Sequence, residues 1–257
     1  MITKTTHKNA AIVLKTLDYG ESDRIVTLYT ADFGKIKGIA KGARRSRKRF
    51  ANTLEPFSCA AFLFSKRGDN TLAFLEDSDN INHYPAIRAD LEKTLLASYL
   101  VDLTDQFTLE GKTNKDLFSL IIDFLGLMDA GEVSDALMRF FEMRLLKYSG
   151  YEPVLDHCTI CRQPVESMAA CRFSFAAGGI SCNSCYNNSG DCLPVSLGTV
   201  KTLLMGKDME PAQIHRLSLS IRSAEESRQM LAGFIRHLLG KELKSARVIN
   251  EIRRLGI

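Results

Sequence analysis

The sequence has no long hydrophobic run. Its 257 residues are 45% apolar, yet no stretch reaches the roughly 20 consecutive apolar residues that a transmembrane helix needs. Residues 1–7 are polar and do not resemble a secretory leader. These absences predict a cytoplasmic protein with no membrane partner, whose cysteine thiols stay reduced.

The sequence also lacks the common catalytic motifs. It has no phosphate-binding Gly-x4-Gly-Lys-Ser/Thr loop, no dinucleotide fingerprint, no His-Glu-x2-His and no Gly-x-Ser-x-Gly. The acidic cluster at residues 76–79 is compatible with a metal-dependent nuclease, but a turn that ends a strand explains it more simply. We therefore expect a protein that is not an enzyme, with a nuclease as an alternative.

Acidic residues are missing between Asp32 and Glu55, where basic residues are concentrated. Eight cations without an opposing carboxylate give this window a formal charge of about +8, against +4 for the whole chain. They are Lys35, Lys37, Lys41, Arg44, Arg45, Arg47, Lys48 and Arg49. Such a window is typical of a surface that binds nucleic-acid phosphates, although a charged run can also be only a solvated loop.

Alternation predicts a strand at the start of this window and a loop after it. From residue 34 to 41 lysine alternates with smaller or apolar residues, so one side of the strand is basic. Residues 42–49 have the composition of a flexible loop that can follow a phosphate backbone. Base-stacking candidates, each more often a core residue in a strand, are Tyr29, Phe33 and Phe50.

Two Cys-x2-Cys pairs, with 20 residues between them, are the most specific motif. They are Cys158 with Cys161 and Cys182 with Cys185. Each pair brings two sulfurs to one turn, and four thiolates satisfy the tetrahedral preference of Zn²⁺. Between them Phe173 alternates like a strand residue before a Gly-Gly reversal, which predicts a zinc ribbon with one structural Zn²⁺ per chain.

Other uses of the seven cysteines stay open. Redox pairs, disulfides or metal-free cysteines are alternatives to the zinc ribbon, but a catalytic zinc is not expected because four thiolates leave no open coordination position. Cys59 lies in an apolar run and is expected to be a small buried residue. Cys171 and Cys192 are expected to be bystanders, with Cys192 as an alternative ligand.

The order of the predicted elements indicates an α+β fold. Short β-rich runs at residues 11–14, 24–29, 34–41, 57–64 and 71–75 predict a five-stranded barrel of the oligonucleotide-binding (OB) type. Helical periodicity follows, and the ribbon is inserted into an all-helical domain. The predicted domains are an OB DNA-binding domain at 1–82, a helical domain at 83–155 and 193–257, and a zinc ribbon at 156–192.

Serine and glycine predict several helix ends. Ser134 is a cap before the helix at 136–148, and Gly150 is its stop. The run Pro194-Val195-Ser196 is expected to open a short helix through Leu204. Ser223-x-x-Glu226 reads as a capping box for the next helix, which Gly240 ends.

Several motifs in the same order resemble the RecO family of bacterial recombination mediators. Residues 19–30 with Phe33-Gly34-Lys35 are similar to the family's opening, and residues 40–45 to its basic segment. Tyr151-x-Pro153-x-Leu155 before the first cysteine pair resembles the zinc-bearing branch, although Arg162 stands where the family usually has Gly. Residues 239–245 resemble its C-terminal signature.

The resemblance implies a DNA repair function in the bacterial nucleoid. It implies binding of single- and double-stranded DNA, strand annealing, and work with RecR to load recombinase onto DNA coated by single-strand-binding protein. A partner site for that protein's acidic tail is predicted where cations adjoin apolar residues, at Arg236, Leu239, Lys241, Leu243, Lys244 and Arg247. A zinc-ribbon adaptor that handles only proteins is a further alternative.

Overall fold

The computed structural model describes residues 5–46, 48–66, 72–186 and 192–255, without the side chains of residues 215 and 255. The chain forms two compact units. Unit 1 comprises the residues up to Gly131 together with those from Lys244 onward, and unit 2 comprises Glu132–Leu243. The predicted domain boundaries remain predictions, because compact units and domains need not coincide.

Unit 1 begins with a closed five-stranded barrel in the order β1-β2-β3-β5-β4. Its strands are β1 Thr5–Tyr19, β2 Asp23–Thr30, β3 Gly34–Ala40, β4 Cys59–Lys66 and β5 Ala73–Asn82. Neighbouring strands are antiparallel except β3 and β5, which are parallel. Alternate side chains point inward, including Val26, Leu28 and Ile36, and form the barrel core. The predicted OB-type barrel is thus confirmed.

The acidic cluster at residues 76–79 lies inside β5, so the turn predicted there is wrong. Backbone pairing with β4 continues past it, with Leu63 opposite Asp77 and Ala61 opposite Asp79. Polar side chains are compatible with an extended strand that has one face in water, and Lys8 forms an ion pair with Asp79 at 2.6 Å. The alternation of apolar residues therefore ends several residues before the end of β5, which is why the sequence predicted a strand that was too short.

Helices complete unit 1. They are α1 Pro85–Arg88, α2 Leu91–Phe107, α3 Lys115–Ala130 and, after unit 2, α7 Lys244–Leu255. Asp90 and Asn114 cap α2 and α3 by accepting bonds from the backbone amides of Lys93 and Leu117. The Tyr29 hydroxyl donates to the Asn114 carbonyl at 3.2 Å, which ties the outer face of β2 to the start of α3.

Unit 2 combines a small sheet with three helices. Its elements are α4 Asp135–Tyr148, β6 Cys171–Ser174, β7 Gly179–Cys182, β8 Cys192–Val195, α5 Leu197–Lys207 and α6 Ile221–Leu239. Short 3₁₀ turns occupy Val165–Ser167 and Pro211–Arg216. The Ser134 cap of α4 is confirmed, since its hydroxyl accepts from the Leu137 amide. Gly150 and Gly240 both have positive φ after their helices, as predicted.

One predicted helix start in unit 2 is shifted by two residues, and another is wrong. Pro194 belongs to β8, and α5 begins at Leu197 with Ser196 as its cap. Helix α6 begins at Ile221 and is capped by Ser220, not by Ser223. Glu226 does not close a capping box, because its carboxylate accepts bonds from Ser196 and Thr199 at the start of α5.

No helix in the described ranges is both long and apolar enough to cross a membrane.

Candidate metal centre and nucleic-acid interface

The four predicted cysteine ligands meet in unit 2. Their sulfur atoms all lie within 4.8 Å of one another, and those of Cys161 and Cys182 are 3.7 Å apart. A tetrahedron with Zn–S bonds of about 2.3 Å has edges of about 3.8 Å. In the part of the chain that the structure describes, this is the one group of three or more His, Cys, Asp or Glu side chains whose ligand atoms lie close enough together to bind a metal ion.

Two tight turns and one hairpin bring these cysteines together. In the first turn the Arg162 amide donates to the Cys158 carbonyl at 3.0 Å, and in the second the Cys185 amide donates to the Cys182 carbonyl at 3.1 Å. The β6–β7 hairpin pairs Cys171 with Cys182 and delivers the second turn. The predicted strand and Gly-Gly reversal are confirmed, with Gly178 at φ 64°.

Gly179 lets the hairpin approach the chain before the first cysteine pair. A Cβ atom at this position would lie 2.6 Å from the Val154 carbonyl oxygen and 2.7 Å from a Thr159 methyl group. The Ile180 amide donates to the same Val154 carbonyl at 2.9 Å. Only glycine leaves room for this contact, which holds β7 against the first turn.

Arg162 takes the left-handed conformation that the first turn requires. Its φ is 64°, a region that favours glycine. Its guanidinium lies 2.6 Å from His157 Nε2, and His157 Nδ1 lies 2.9 Å from Asp156. The turn therefore forms with arginine, and side-chain contacts offset part of the backbone strain.

The electrostatics of the cluster suit a soft divalent cation. Burial opposes ionisation of Cys158, but backbone amides that point at its sulfur, including the Cys182 amide at 3.4 Å, lower its pKa to about 6. Hydrogen bonds with the sulfurs of Cys161 and Cys182 raise the pKa of Cys185 to about 12. Four thiolates this close repel one another unless a cation balances them, so the donor set fits Zn²⁺.

The remaining cysteines lie outside the cluster. Cys59 and Cys171 are buried, and burial raises the pKa of each thiol to about 11. The Cys171 thiol donates to the Val195 carbonyl at 3.3 Å. Cys192 pairs with Ser174 in the sheet and is absent from the four-sulfur group among the described residues. The prediction of a buried Cys59 is confirmed.

The basic window in unit 1 begins on β3, where Lys35 and Lys37 face outward as predicted. Lys35 is only 12% exposed and bonds to the carbonyl and carboxylate of Asp105 in α2. Lys37 is 51% exposed and forms an ion pair with Glu110 at 2.5 Å. Both lysines therefore have carboxylate partners within unit 1, and Lys35 has little surface to offer a ligand.

The cations after β3 are more accessible. Lys41, Arg44, Arg45, Lys48 and Arg49 are exposed, and Arg47 lies outside the described residues. Neither Lys41 nor Lys48 has an ion-pair partner among the residues that the structure describes. The five described cations lie on one connected segment, residues 41–49, which we call the cationic segment.

Carboxylates of the β1–β2 hairpin contact two arginines of the cationic segment. Arg44 Nε lies 3.7 Å from Asp18, and Arg45 lies 3.6 Å from Glu21, which is 93% exposed. Asp18 and Glu21 precede the acid-free window in sequence, so the composition of the window did not predict these ion pairs. The pairing of β2 with β3 brings them near, and these long, exposed ion pairs are weak.

The cationic segment starts as a hydrogen-bonded turn rather than an open loop. The Gly42 amide donates to the Asp23 carboxylate at 2.8 Å, and the Arg44 amide donates to the Ser22 carbonyl at 3.0 Å. The Ser46 amide donates to the Gly42 carbonyl at 3.0 Å. These bonds fix the start of the segment against the β1–β2 hairpin.

The three aromatic candidates for base stacking are buried or half-buried. Tyr29 is 0% exposed and Phe50 is 5% exposed, so neither offers a free ring face. Phe33 is half-buried against the barrel core and contacts His7 and Phe64. Those stacking hypotheses are wrong for Tyr29 and Phe50, because the Tyr29 ring is covered on the outer face of β2, where it contacts Phe118 of α3, and Phe50 belongs to the barrel core.

The predicted tail-binding residues divide between the two units. In unit 2, Arg236 and Lys241 are exposed, Leu239 is half-buried and Leu243 is only 5% exposed. In unit 1, Lys244 and Arg247 are exposed on α7. The binding role of all six residues remains a prediction.

Comparison with known proteins places this chain in a family. The family model described as "Recombination protein O N terminal" matches residues 1–84, and the one described as "Recombination protein O C terminal" matches residues 88–247. The chain belongs to the RecO family. The protein named DNA repair protein RecO from Syntrophus aciditrophicus is 50% identical over 100% of both chains.

More distant RecO proteins match nearly the whole chain as well. The DNA repair protein RecO of Geobacter metallireducens is 36% identical over 95% of this chain and 97% of its own length. That of Anaeromyxobacter dehalogenans (strain 2CP-C) is 34% identical over 95% of this chain and 96% of its own length. The four-cysteine cluster is consistent with the zinc-containing branch of the RecO family.

Proposed function

We propose that this RecO-family chain is a DNA repair mediator that binds single- and double-stranded DNA without cleaving it. The observation that carries the proposal is the cationic segment, where five described cations are exposed on one chain segment that follows β3 of the closed barrel. Phosphates can displace the weak partners of Arg44 and Arg45, because those ion pairs are long and solvent-exposed. Lys35 and Lys37 contribute less, since carboxylates within unit 1 already pair with them.

Annealing follows from the same charges. Two complementary strands repel each other through their phosphates, and a cation-rich segment lowers that repulsion when it contacts both. Phosphate contacts carry no sequence information, so any complementary pair is a substrate. We expect the chain to perform this work in the bacterial cytoplasm, on nucleoid DNA.

We further propose that the chain acts with RecR to load recombinase onto DNA coated by single-strand-binding protein. The acidic tail of single-strand-binding protein, with its apolar end, requires a binding site in which cations lie beside an apolar groove. Unit 1 has a groove of about 330 Å³ between α2 and α7, lined by Leu91, Leu95, Ile249 and Ile252 and flanked by Arg253. Lys244 and Arg247 lie on the same helix α7, whereas Asp90 and Glu92 at the groove disfavour an acidic ligand locally.

The zinc ion has a structural role in this proposal. Cys158, Cys161, Cys182 and Cys185 would hold it, and it would supply four metal–sulfur bonds that keep both turns and the hairpin together. No open coordination position is left for a substrate. Zinc is therefore expected to support folding of the ribbon rather than to contact DNA.

A matched pair of variants tests DNA binding. Arg44→Ala with Arg45→Ala removes two cations of the segment, and Lys112→Ala with Lys115→Ala removes two exposed cations elsewhere in unit 1. The first pair is expected to lower affinity for both single strands and duplex, measured by fluorescence anisotropy, and the second to leave it within about twofold. Equal effects of the two pairs would refute the segment's role. Cleavage of DNA strands in the presence of Mg²⁺ would favour the alternative of a metal-dependent nuclease. Binding of RecR or of the tail peptide without any affinity for DNA would favour the zinc-ribbon adaptor that handles only proteins.

A further inference from the structure

The four cysteines of the metal cluster differ in their exposure to solvent. Cys158 is 0% exposed and Cys182 is 4% exposed, whereas Cys185 is half-buried and Cys161 is exposed. A thiolate that faces water is accessible to small dissolved oxidants, and a buried thiolate is protected from them. Cys161 is therefore the cysteine of the cluster that a dissolved oxidant meets first.

A second sulfur lies close to Cys161 on the other turn of the ribbon. The Sγ atoms of Cys161 and Cys182 are 3.7 Å apart, and a disulfide bond is about 2.05 Å long. Closing this distance takes a movement of about 1.7 Å, which side-chain rotation and a small shift of the first turn supply. Because Cys161 belongs to the first turn and Cys182 to the second, a bond between them joins the same two turns that the metal would join.

Hydrogen bonds that do not involve the cysteine sulfurs align the two turns. The Thr159 amide, inside the first turn, donates to the Ile180 carbonyl of β7 at 2.9 Å, and the Thr159 hydroxyl donates to the same carbonyl at 3.2 Å. Cys182 lies two residues after Ile180 on that strand. The sulfurs of Cys161 and Cys182 therefore stay close to each other while one of them reacts.

The hairpin that carries Cys182 also packs against α6. The rings of Phe173 in β6 and Phe234 in α6 have their centroids 5.4 Å apart. Gly233 of α6 leaves room for the ring of Phe175, which a Cβ atom at that position would meet at 2.6 Å. These contacts hold the second turn in place during a reaction at the sulfurs.

We propose that Cys161 and Cys182 form an oxidation site for hydrogen peroxide, at which a disulfide replaces the metal as the link between the two turns. This role depends on the proposed zinc site. Disulfides in a reducing compartment are usually transient and often serve to sense oxidants. Such a site makes the metal content of this RecO-family chain depend on the peroxide concentration around it.

The reaction has two steps. The Cys161 thiolate attacks one oxygen of hydrogen peroxide; an S–O bond forms, the O–O bond breaks and hydroxide leaves, so the sulfur loses two electrons and becomes a sulfenic acid. The Cys182 thiolate then attacks the Cys161 sulfur; the S–S bond forms, the S–O bond breaks and a second hydroxide leaves. Cys158 and Cys185 alone do not satisfy the four-coordinate preference of Zn²⁺, so the ion is released.

Metal release and the number of free thiols test this site without an activity assay. Purified protein that has met no peroxide is analysed for zinc, and hydrogen peroxide is then added in the presence of a chromophoric zinc chelator. One equivalent of zinc is expected to be released about tenfold faster than without peroxide. Thiols titrated in denaturant should fall from seven to five, because the disulfide consumes two. Dithiothreitol with added zinc should restore both values, since a disulfide is reducible and a sulfonic acid is not.

Peptide mapping locates the disulfide. Trypsin cuts at arginine and lysine and so separates residues 148–162 from residues 173–201. A Cys161–Cys182 bond links these two peptides, whereas a bond inside either turn does not. Tandem mass spectrometry then assigns the sulfur within each peptide.

A matched control removes the cysteines outside the cluster. The triple variant Cys59→Ala, Cys171→Ala and Cys192→Ala keeps the four clustered thiols and should release zinc and form the cross-link as wild type does. If this variant does not fold, the peptide map of the wild-type chain decides. Circular dichroism should show that the oxidised, metal-free wild type keeps its fold, because the disulfide joins the turns, whereas Cys161→Ser has neither link.

The outcomes separate the oxidation site from the zinc site on which it depends. Protein that contains no zinc before treatment would overturn both. Zinc-loaded protein that keeps its metal in peroxide would overturn the oxidation site and leave the zinc site intact. A disulfide within one turn, or one with a cysteine outside the cluster, would do the same.

Discussion

Replacing Glu226 by Gln is expected to destabilise unit 2, because this carboxylate connects α6 to the start of α5. It accepts bonds from the Ser196 amide at 2.9 Å, the Ser196 hydroxyl at 2.6 Å and the Thr199 hydroxyl at 2.6 Å. Arg222 adds an ion pair at 2.7 Å. The side chain is only 17% exposed, so solvent screens these contacts weakly.

The lowered pKa of Glu226 shows how much its carboxylate contributes to the free energy of unfolding. Burial raises this pKa, but bonds from Ser196, Thr199 and Arg222 lower it further, to about 2 from the ordinary 4.5. A difference of about 2.5 pKa units corresponds to roughly 3 kcal/mol of stability at neutral pH. Because the folded pKa is lowered, this contribution is complete above about pH 5 and falls to roughly half at pH 3.

The assay compares Glu226→Gln with Glu225→Gln, whose carboxylate is 46% exposed on the same helix. Urea unfolding at pH 7 is expected to show a loss of about 2–3 kcal/mol for the first and less than about 0.5 kcal/mol for the second. The difference in free energy of unfolding between wild type and Glu226→Gln should become smaller as the pH falls from 5 to 3. Any loss of metal in acid affects both proteins equally, so it cancels in this difference. Equal stabilities of the two variants at pH 7 would refute this reasoning.

Three further changes test the ribbon and the tail site. Cys161→Ser is expected to lose the one equivalent of zinc that wild type should contain by elemental analysis, and to unfold the ribbon while DNA binding survives; stoichiometric disulfides in metal-free wild type would contradict this. Arg162→Gly should raise the free energy of unfolding by up to about 1 kcal/mol, because φ 64° suits glycine, and an unchanged or lower value would show that the His157 contact outweighs the strain. Charge reversal at Lys244 and Arg247 should weaken binding of the acidic tail peptide and leave DNA affinity nearly intact; wild-type tail affinity in a folded variant would place that site elsewhere.

The barrel and the metal centre could be predicted because their signals are local. Alternating apolar residues indicate strands over a few positions, and cysteine spacing fixes both turns of the ribbon. Strand ends were harder to find, since residues 76–79 are polar and yet continue β5 by pairing with β4. Backbone pairing tolerates polar side chains wherever one face of the strand meets water.

The remaining features could not be predicted, because they depend on contacts between residues that are far apart in the sequence. Ser220 and Ser223 are both suitable caps, and the sequence favoured Ser223 only because Glu226 follows it at capping-box spacing. The true partners of Glu226 begin 30 residues earlier, at Ser196. Likewise Lys35 was expected to face a ligand, but Asp105, 70 residues away, pairs with it.

The salt dependence of duplex affinity tests the central claim most directly. Replacing Arg44, Arg45, Arg47, Lys48 and Arg49 together by Ala removes most of the cationic segment. Each lost phosphate contact lowers the slope of log affinity against log salt by about 0.9 for duplex DNA, so a fall of several units and a loss of annealing are predicted. A slope equal to that of wild type in the folded variant would show that the segment is only a solvated surface.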